Sequence, residues 1–401
     1  MHNRPIARSL PLLALLPLVG ACANGGKQDT PQSEVKIAAS HHLFGFRSLP
    51  GFGTFPVTPD VVVTDRGVLN LFDDSTYTIT RPSGTSSADR YALAKNGDFS
   101  VYVTGGGREP SVVFRGGYSL NDNLSNLFFT DRVSTPSSQS IGLYYGTKVT
   151  PGQIELEGAW HVLSLHTIFG ETLLSPDNVG RAASGAVSIA AGNAGEARGI
   201  SGTGTQGTAS VTFGGTIQNV LQSGTGDGTC NLTLNYQLTG QIADSRVMYA
   251  VATNNHVMAL DADETDGEAG MVFMVRKFDA PTTPVDPVRT TGTFLVGGHT
   301  LFVNPTNCGS DAFVGTVTLG SGGAFRLDAV GNNGQDFSYI GTYTLSSDGG
   351  MSIAISGTNE TWFGAIDRDY NTFTFVDGFL ETRSNNQPEL NLGLGVRVKA
   401  N

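Results

Sequence analysis

The chain has 401 residues, with 24 basic against 35 acidic side chains, a net charge of -11, only 15% charged residues and 53 glycines. An acidic chain without clustered Lys/Arg excludes electrostatic docking on nucleic acid or on anionic lipid. Glycine at about twice its usual share of roughly 7%, with charge below the usual quarter, argues against a helix-rich fold and for many short strands joined by tight turns.

Residues 1–21 read as a targeting segment: Arg4 and Arg8 form a basic region, Leu10 to Val19 an apolar run too short to span a bilayer, and small residues follow. The stretch Val19-Gly20-Ala21-Cys22 resembles the lipobox of bacterial lipoproteins. That resemblance implies a lipid on Cys22, which becomes the mature N-terminus and attaches the chain to the membrane. Ala23, where an aspartate would retain the protein at the inner membrane, implies the outer membrane, with the chain facing the periplasm or the surface. Removing Arg4 and Arg8 with this leader takes the net charge from -11 to -13. Residues 22–34 are polar and cannot bury enough apolar surface to fold, so they read as a tether.

The mature chain reads as three repeats. HHLF at His41, HTIF at His166 and HTLF at His299 open similar phrases, and apolar strands close each copy at Lys148, Lys277 and Lys399. Before each closing strand another apolar strand runs into an acid: NLFFTD to Asp131, HVMALD to Asp261 and TFTFVD to Asp377. YALAKNGDFSVYV from Tyr91 aligns without a gap on YTLSSDGGMSIAI from Tyr343, with hairpin tips at Asn96-Gly97 and Asp348-Gly349. Both central residues of such a two-residue tip are expected at positive φ. The second copy departs; its Tyr236-Gln-Leu238 is read as the matching stretch, with a shortened hairpin after it.

In the third copy, period-2 alternation marks eight or nine strands: TFLVG, TLFVN, FVGTVTL, AFRLDAV, SYIGTYTL, MSIAI, WFGAI, TFTFVDGFL and LNLGLGVRV. The fold class is therefore all-β: three tandem antiparallel meanders at 35–148, 158–277 and 291–401, each an eight-stranded up-and-down barrel or barrel-like sheet. Linkers fall at 149–157 and 278–290.

Candidate chemistry is sparse. GTGTQG from Gly202 matches a dinucleotide fingerprint literally, but a strand rather than a helix follows it, so it reads as a loop. DRDYNTF, with Asp367, Asp369 and Asn371 at alternate positions, reads as a hairpin turn. The acidic run DADETDGE supplies weak calcium candidates in Asp261, Asp263, Asp266 and Glu268, against the reading of a solvated turn. Cys230 and Cys308, in an oxidising compartment, are a candidate disulfide; two buried thiols are the other reading. No G-x-S-x-G or H-E-x-x-H occurs, and no cofactor is implied. His41 or His42, His166 and His299 could ligate zinc only if the modules wrap around a common axis; otherwise each opens a strand whose Leu or Ile and Phe pack in its own module.

In plan the chain resembles surface lipoproteins of the transferrin-binding type, which place β-barrels behind a lipobox and a tether. Their G-x-F-x-G-P-x-A barrel signature does not occur here. The function read from these features is a lipid-anchored, non-catalytic envelope protein of receptor or adhesin type, taking a small-molecule or protein ligand. A structural spacer and an enzyme are the alternatives.

Overall fold

A computed structural model describes residues 33–48, 62–84, 86–103, 111–120, 126–131, 134–135, 138–139, 141–149, 154–168, 180–193, 195–222, 225–239, 244–261, 268–304, 307–331, 334–377 and 389–398. They form three closed antiparallel barrels of eight strands, met one after another along the chain. The first comprises β1 (Ala39–Ser48), β2 (Val62–Leu71), β3 (Thr76–Thr80), β4 (Ser86–Leu93), β5 (Asp98–Val103), β6 (Ser111–Tyr118), β7 (Asn126–Asp131) and β10 (Ile141–Lys148). Between its last two strands, β8 (Ser134–Thr135) and β9 (Ser138–Gln139) pair separately. The second comprises β11 (Gly158–Ile168), β12 (Gly180–Ile189), β13 (Arg198–Gln206), β14 (Ala209–Gln222), β15 (Thr225–Leu238), β16 (Asp244–Ala252), β17 (His256–Asp261) and β18 (Glu268–Arg276). The third comprises β19 (Gly292–Asn304), β20 (Asn307–Leu319), β21 (Ala324–Gly331), β22 (Asp336–Leu345), β23 (Gly350–Ile355), β24 (Thr361–Ile366), β25 (Thr372–Asp377) and β26 (Glu389–Arg397). A four-residue helix, α1 (Pro287–Thr290), capped by Asp286, precedes it.

Eight strands, not nine, close the third barrel because TFLVG and TLFVN are one strand. Gly297 and Gly298 carry β19 through the crowding: a Cβ on them would stand 2.5 Å from the Phe128 ring and 2.0 Å from the Phe313 ring. GTGTQG is likewise not a loop but the end of β13 and the start of its turn. A Cβ on Gly202 would lie 2.0 Å from the Ala186 carbonyl oxygen of the neighbouring strand.

The alternation in the sequence has a layered meaning. Strands such as β21, with its alternating burial, have one face in the barrel and one in water. In β17 and β25 all six residues are buried. Their second face meets another barrel, so they read as unbroken apolar runs. Phe44 and Leu143, Leu163 and Phe273, Leu392 and Val396 belong to one apolar cluster shared by the outer faces of all three barrels. The first strand of each barrel packs on the seventh strand of the next in cyclic order: β1 on β17, β11 on β25, β19 on β7. The modules wrap around a common core.

The cyclic joints repeat in detail. Asn96-Gly97 and Asp348-Gly349 lie in the turn between fourth and fifth strands, and Asp227-Gly228, inside β15 opposite a register shift in the β14–β15 ladder, repeats their backbone, with glycine φ of 95°, 91° and 96°. The side-chain oxygen at the first position accepts the amide two residues on, at 3.0, 3.3 and 3.0 Å. Only the glycine is left-handed; in the first and third barrels a three-residue loop closes over Ala94 and Ser346, so the expected pair of positive φ values is not needed. Asp227-Gly228, not the stretch after Tyr236, is the matching position in the second copy, where the β14–β15 ladder runs on past it to Gln222 and Thr225. His42 Nε2 donates to the Asp227 carbonyl (2.9 Å) and His161 Nε2 to the Asp348 carbonyl (3.2 Å). At the third joint Leu295 packs on Gly97 instead.

Each barrel is stoppered at the end where its first strand begins. Ile37, then Ile154 and Leu156, then Phe278 and Val285 join the three barrel cores. Tyr91 donates to the Ile37 carbonyl (3.2 Å) and Trp160 Nε1 to the Leu156 carbonyl (3.0 Å). Arg276 lies over the Trp160 ring and Arg397 over Phe294, at 5.2 and 4.6 Å, and both guanidinium groups bind carbonyls of the incoming segment. Because the histidine joints lie at these stoppered ends, all three stoppers face one side and all three mouths the other.

Candidate functional site

Each barrel holds polar side chains at its mouth, and among the described residues the second barrel holds the richest such set. Along β11, Trp160 and Val162 point into the barrel, so period-2 geometry sends Ser164 and His166 inward as well. Arg181 on β12 stands directly opposite His166 in register. Arg246 and Asp261 follow the inward positions of β16 and β17, and Arg246 donates to Asp261 Oδ2 at 2.8 Å with both side chains buried. Gly270 lies between His166 and Asp261 in the ladder, and the imidazole occupies its missing side chain's space: a Cβ there would be 2.3 Å from His166 Nδ1. His166 Nε2 lies 3.3 Å from the Tyr236 hydroxyl, edge-on to its ring. Burial first, then the positive charge of Arg246 and Arg181, holds the imidazole far below its ordinary pKa, so it is neutral. Ser164, fully buried, makes no hydrogen bond through its hydroxyl.

The other mouths differ. In the first barrel Arg81 forks onto Asp65, at 2.9 to 3.0 Å, above Phe114, Phe129 and Tyr144. In the third, Thr300 donates to Asn391 Oδ1 at 2.5 Å and Asn391 Nδ2 lies 3.4 Å from Asp377. Asp261 and Asp377, the acids that ended the second and third apolar runs, are thus buried mouth residues; Asp131 holds the matching register position in β7. The arginines had no sequence signal of their own. Arg181 could have been found only by pairing β11 with β12.

Other sequence candidates do not converge. Matching Trp160 with Phe294 sets His166 beside Thr300 and His299 beside Leu165, one residue apart, so the similar phrases present their histidines to opposite faces. His41 lies inside the first barrel against the Tyr118 hydroxyl (3.2 Å) and His166 inside the second, while His299 faces the shared core. Phe44 and Leu301 also face that core rather than their own barrels. Among the described residues no three His, Cys, Asp or Glu side chains converge as metal ligands.

Asp261 is neutralised by Arg246; Asp263 and Asp266 lie outside the described residues, as does the Glu268 side chain. Asp367 and Asp369 build the β24–β25 turn as expected: Asp367 Oδ1 accepts the Asn371 and Thr372 amides, and Asp369 takes Asn255 Nδ2. Cys230 is a free buried thiol, its Sγ 3.0 Å from Asn219 Oδ1 and its pKa pushed by burial up to about 12. The Cys308 side chain is outside the described residues, as are Cys22 and the leader.

One constellation was invisible in the sequence. Thr253 Oγ1 lies 3.1 Å from His256 Nδ1, whose Nε2 donates to Asp367 Oδ2 at 2.9 Å. The order hydroxyl, imidazole, carboxylate is that of a nucleophile, base and orienter. However, Thr253 Oγ1 also accepts the Asn255 and His256 amides, at 3.2 and 3.0 Å, so its lone pairs are engaged in its own turn. The arrangement ties the second barrel to the third.

No family model and no curated protein matches the chain. Among solved structures it is similar to an intact two-lobed TbpB, designated Ap, at 7% identity over 92% of this chain and 79% of that one, with a TM-score of 0.28. It is also similar to a tryptophan-to-alanine mutant of the vaccine antigen transferrin-binding protein B from Haemophilus parasuis, at 9% identity over 92% and 79%, TM-score 0.30. A third is a protein of unknown function of the DUF3598 family from Nostoc punctiforme, at 9% identity over 60% and 96%, TM-score 0.23.

Proposed function

We propose that the chain is an outer-membrane lipoprotein, anchored through a lipid on Cys22, that acts as a non-catalytic binding protein of receptor or adhesin type. Its recognition surface is the mouth end of the three barrels. The observation that carries this reading is the division of labour between the two ends. The chain enters at the stoppered end, where Glu34 and Val35 bind the Leu93 carbonyl at 3.0 and 3.1 Å. Cys22 lies eleven residues before Ser33, a reach of at most about 40 Å, so the stoppered end stays near the membrane. The longest connection of each barrel, 49–61, 169–179 and 378–388, joins strands at the opposite, mouth end. Long connections on a rigid scaffold are where recognition is usually placed. The spacer alternative fits less well, because barrels wrapped around one core add little length.

Cys22→Ala should release the protein from the membrane fraction. A photo-crosslinking residue at Thr208, in the β13–β14 turn of the mouth end, should capture a partner that one at Thr282, at the stoppered end, does not. Retention of the Cys22→Ala protein on membranes would refute the anchor. Capture only from Thr282 would refute the assignment of the recognition surface.

A further inference from the structure

We infer that the mouth of the second barrel binds a small oxyanion, a carboxylate or a phosphate. This rests on the reading of the mouth end as the recognition end and names its ligand chemistry. Three observations support it. First, this is the mouth in which cations outnumber anions among the described inward-facing residues: Arg181 and Arg246 against Asp261, whereas the first has Asp65 with Arg81 and the third has Asp377 beside neutral Thr300 and Asn391. Second, the donors come from four strands of the barrel, Ser164 and His166 on β11, Arg181 on β12, Tyr236 on β15 and Arg246 on β16, with Asp261 on β17 holding Arg246 in place. Guanidinium forks pre-held in this way match the geometry of carboxylate and phosphate oxygens.

Third, Ser164 sits one inward position below His166, fully buried, with its hydroxyl unpartnered. A buried hydroxyl without a partner is costly, and small apolar residues surround its level: Ala183 and Val272 are its register partners on either side. An oxyanion entering from the mouth would accept this hydroxyl at its deep end and the arginines at its outer end. His166, kept neutral first by burial and then by the same arginines, offers its ring without a charge of its own.

The test uses the whole mature chain and two probes, inorganic phosphate and succinate, against chloride at matched ionic strength, read by thermal shift and calorimetry. Phosphate, succinate or both should raise the melting temperature and bind in a saturable way. Arg181→Gln should weaken binding about tenfold, the scale of one lost hydrogen bond to a charged group. Ser164→Ala should leave the unliganded melting temperature unchanged or slightly higher while weakening the anion several-fold, which separates binding from folding. Arg81→Gln, in the first barrel's mouth, should leave anion affinity unchanged. No anion-specific shift, or one that survives Arg181→Gln, overturns the inference, and does so whichever end the crosslinks come from. Anion binding together with partner capture only at Thr282 would instead keep this site and discard the recognition surface proposed above.

Discussion

His42 and His161 are one position in two copies of the same joint: each reaches from the first strand of its barrel to the carbonyl of the matching aspartate in the next, Asp227 and Asp348. Both imidazoles are buried, so each bond forms out of water, and the donated Nε2–H fixes the tautomer. His161→Ala should lower the unfolding free energy by about 1–3 kcal/mol, the loss of a buried hydrogen bond together with the packed imidazole, while the Asp348 carbonyl keeps the Phe278 amide at 3.0 Å. Asp348→Asn should keep that bond, because the acceptor is main chain, while weakening the contact to Lys277 Nζ at 2.9 Å. Urea denaturation of both single variants decides it; a larger loss in Asp348→Asn would show that the carboxylate, not the carbonyl, carries the joint.

The three-barrel plan was legible because each barrel carries its own copy of an apolar closing pair, and two-faced burial made those runs conspicuous. What the sequence concealed was parity. The His166 and His299 phrases look alike but differ by one register step, which reverses the face each presents; text similarity over four residues does not resolve a period of two. The Asp227-Gly228 pair carried a D-G signal as strong as that of Asp348-Gly349, yet the Tyr at 236 drew the match downstream. Arg181 and Arg246 came to light only through pairing, since nothing local distinguishes an inward arginine at a barrel mouth from a solvated one. Arg276 and Arg397, one and two residues before the closing lysines, do the fastening that the lysines were noticed for.

Gly97, Gly228 and Gly349 should be far less replaceable than Gly84. All four have positive φ, but a Cβ would stand 2.6 Å from the Tyr118 carbonyl, 2.9 Å from the Ala252 carbonyl and 2.7 Å from the Phe278 ring in the first three, and meets nothing within 4 Å at Gly84. Gly84→Ala should therefore cost only the left-handed backbone, about 1–2 kcal/mol. Each of the other three should cost more, because backbone or a packed ring must move. Equal losses across the four, measured by thermal unfolding, would mean that the joints tolerate displacement.

Asp261 gives a sharp contrast between a structural pair and a calcium ligand. Removing one partner of a buried ion pair leaves a charge stranded, so Asp261→Asn should destabilise by about 3–5 kcal/mol, and Arg246→Met combined with Asp261→Leu should recover most of that. Calcium added to the native chain should leave its melting temperature unchanged, since the carboxylate already faces a guanidinium at 2.8 Å. A calcium-dependent rise abolished by Asp261→Asn would return this residue to the metal reading.

Acid should unfold the protein from a mild starting point. Burial depresses His41 and His299 to about 3 and His161 to about 4, so all three stay neutral in the fold and titrate near 6.5 once it opens. The unfolded chain then binds more protons than the native one below pH 6.5, and stability must rise with pH across that window. The contribution is whole above pH 6.5 and is lost as pH falls towards 4 and then 3. Each histidine adds a slope of about 1.4 kcal/mol per pH unit where only the unfolded state is protonated; His166, which burial also holds far below its ordinary value, makes a fourth, so together they approach about 5 kcal/mol per unit near pH 5. Urea midpoints measured from pH 7.5 to 4.5 should fall steeply below 6.5, and His299→Leu should flatten the slope by about one quarter. A flat profile down to pH 5 would mean that these imidazoles are charged in the fold, which the apolar core around His299 could not accommodate.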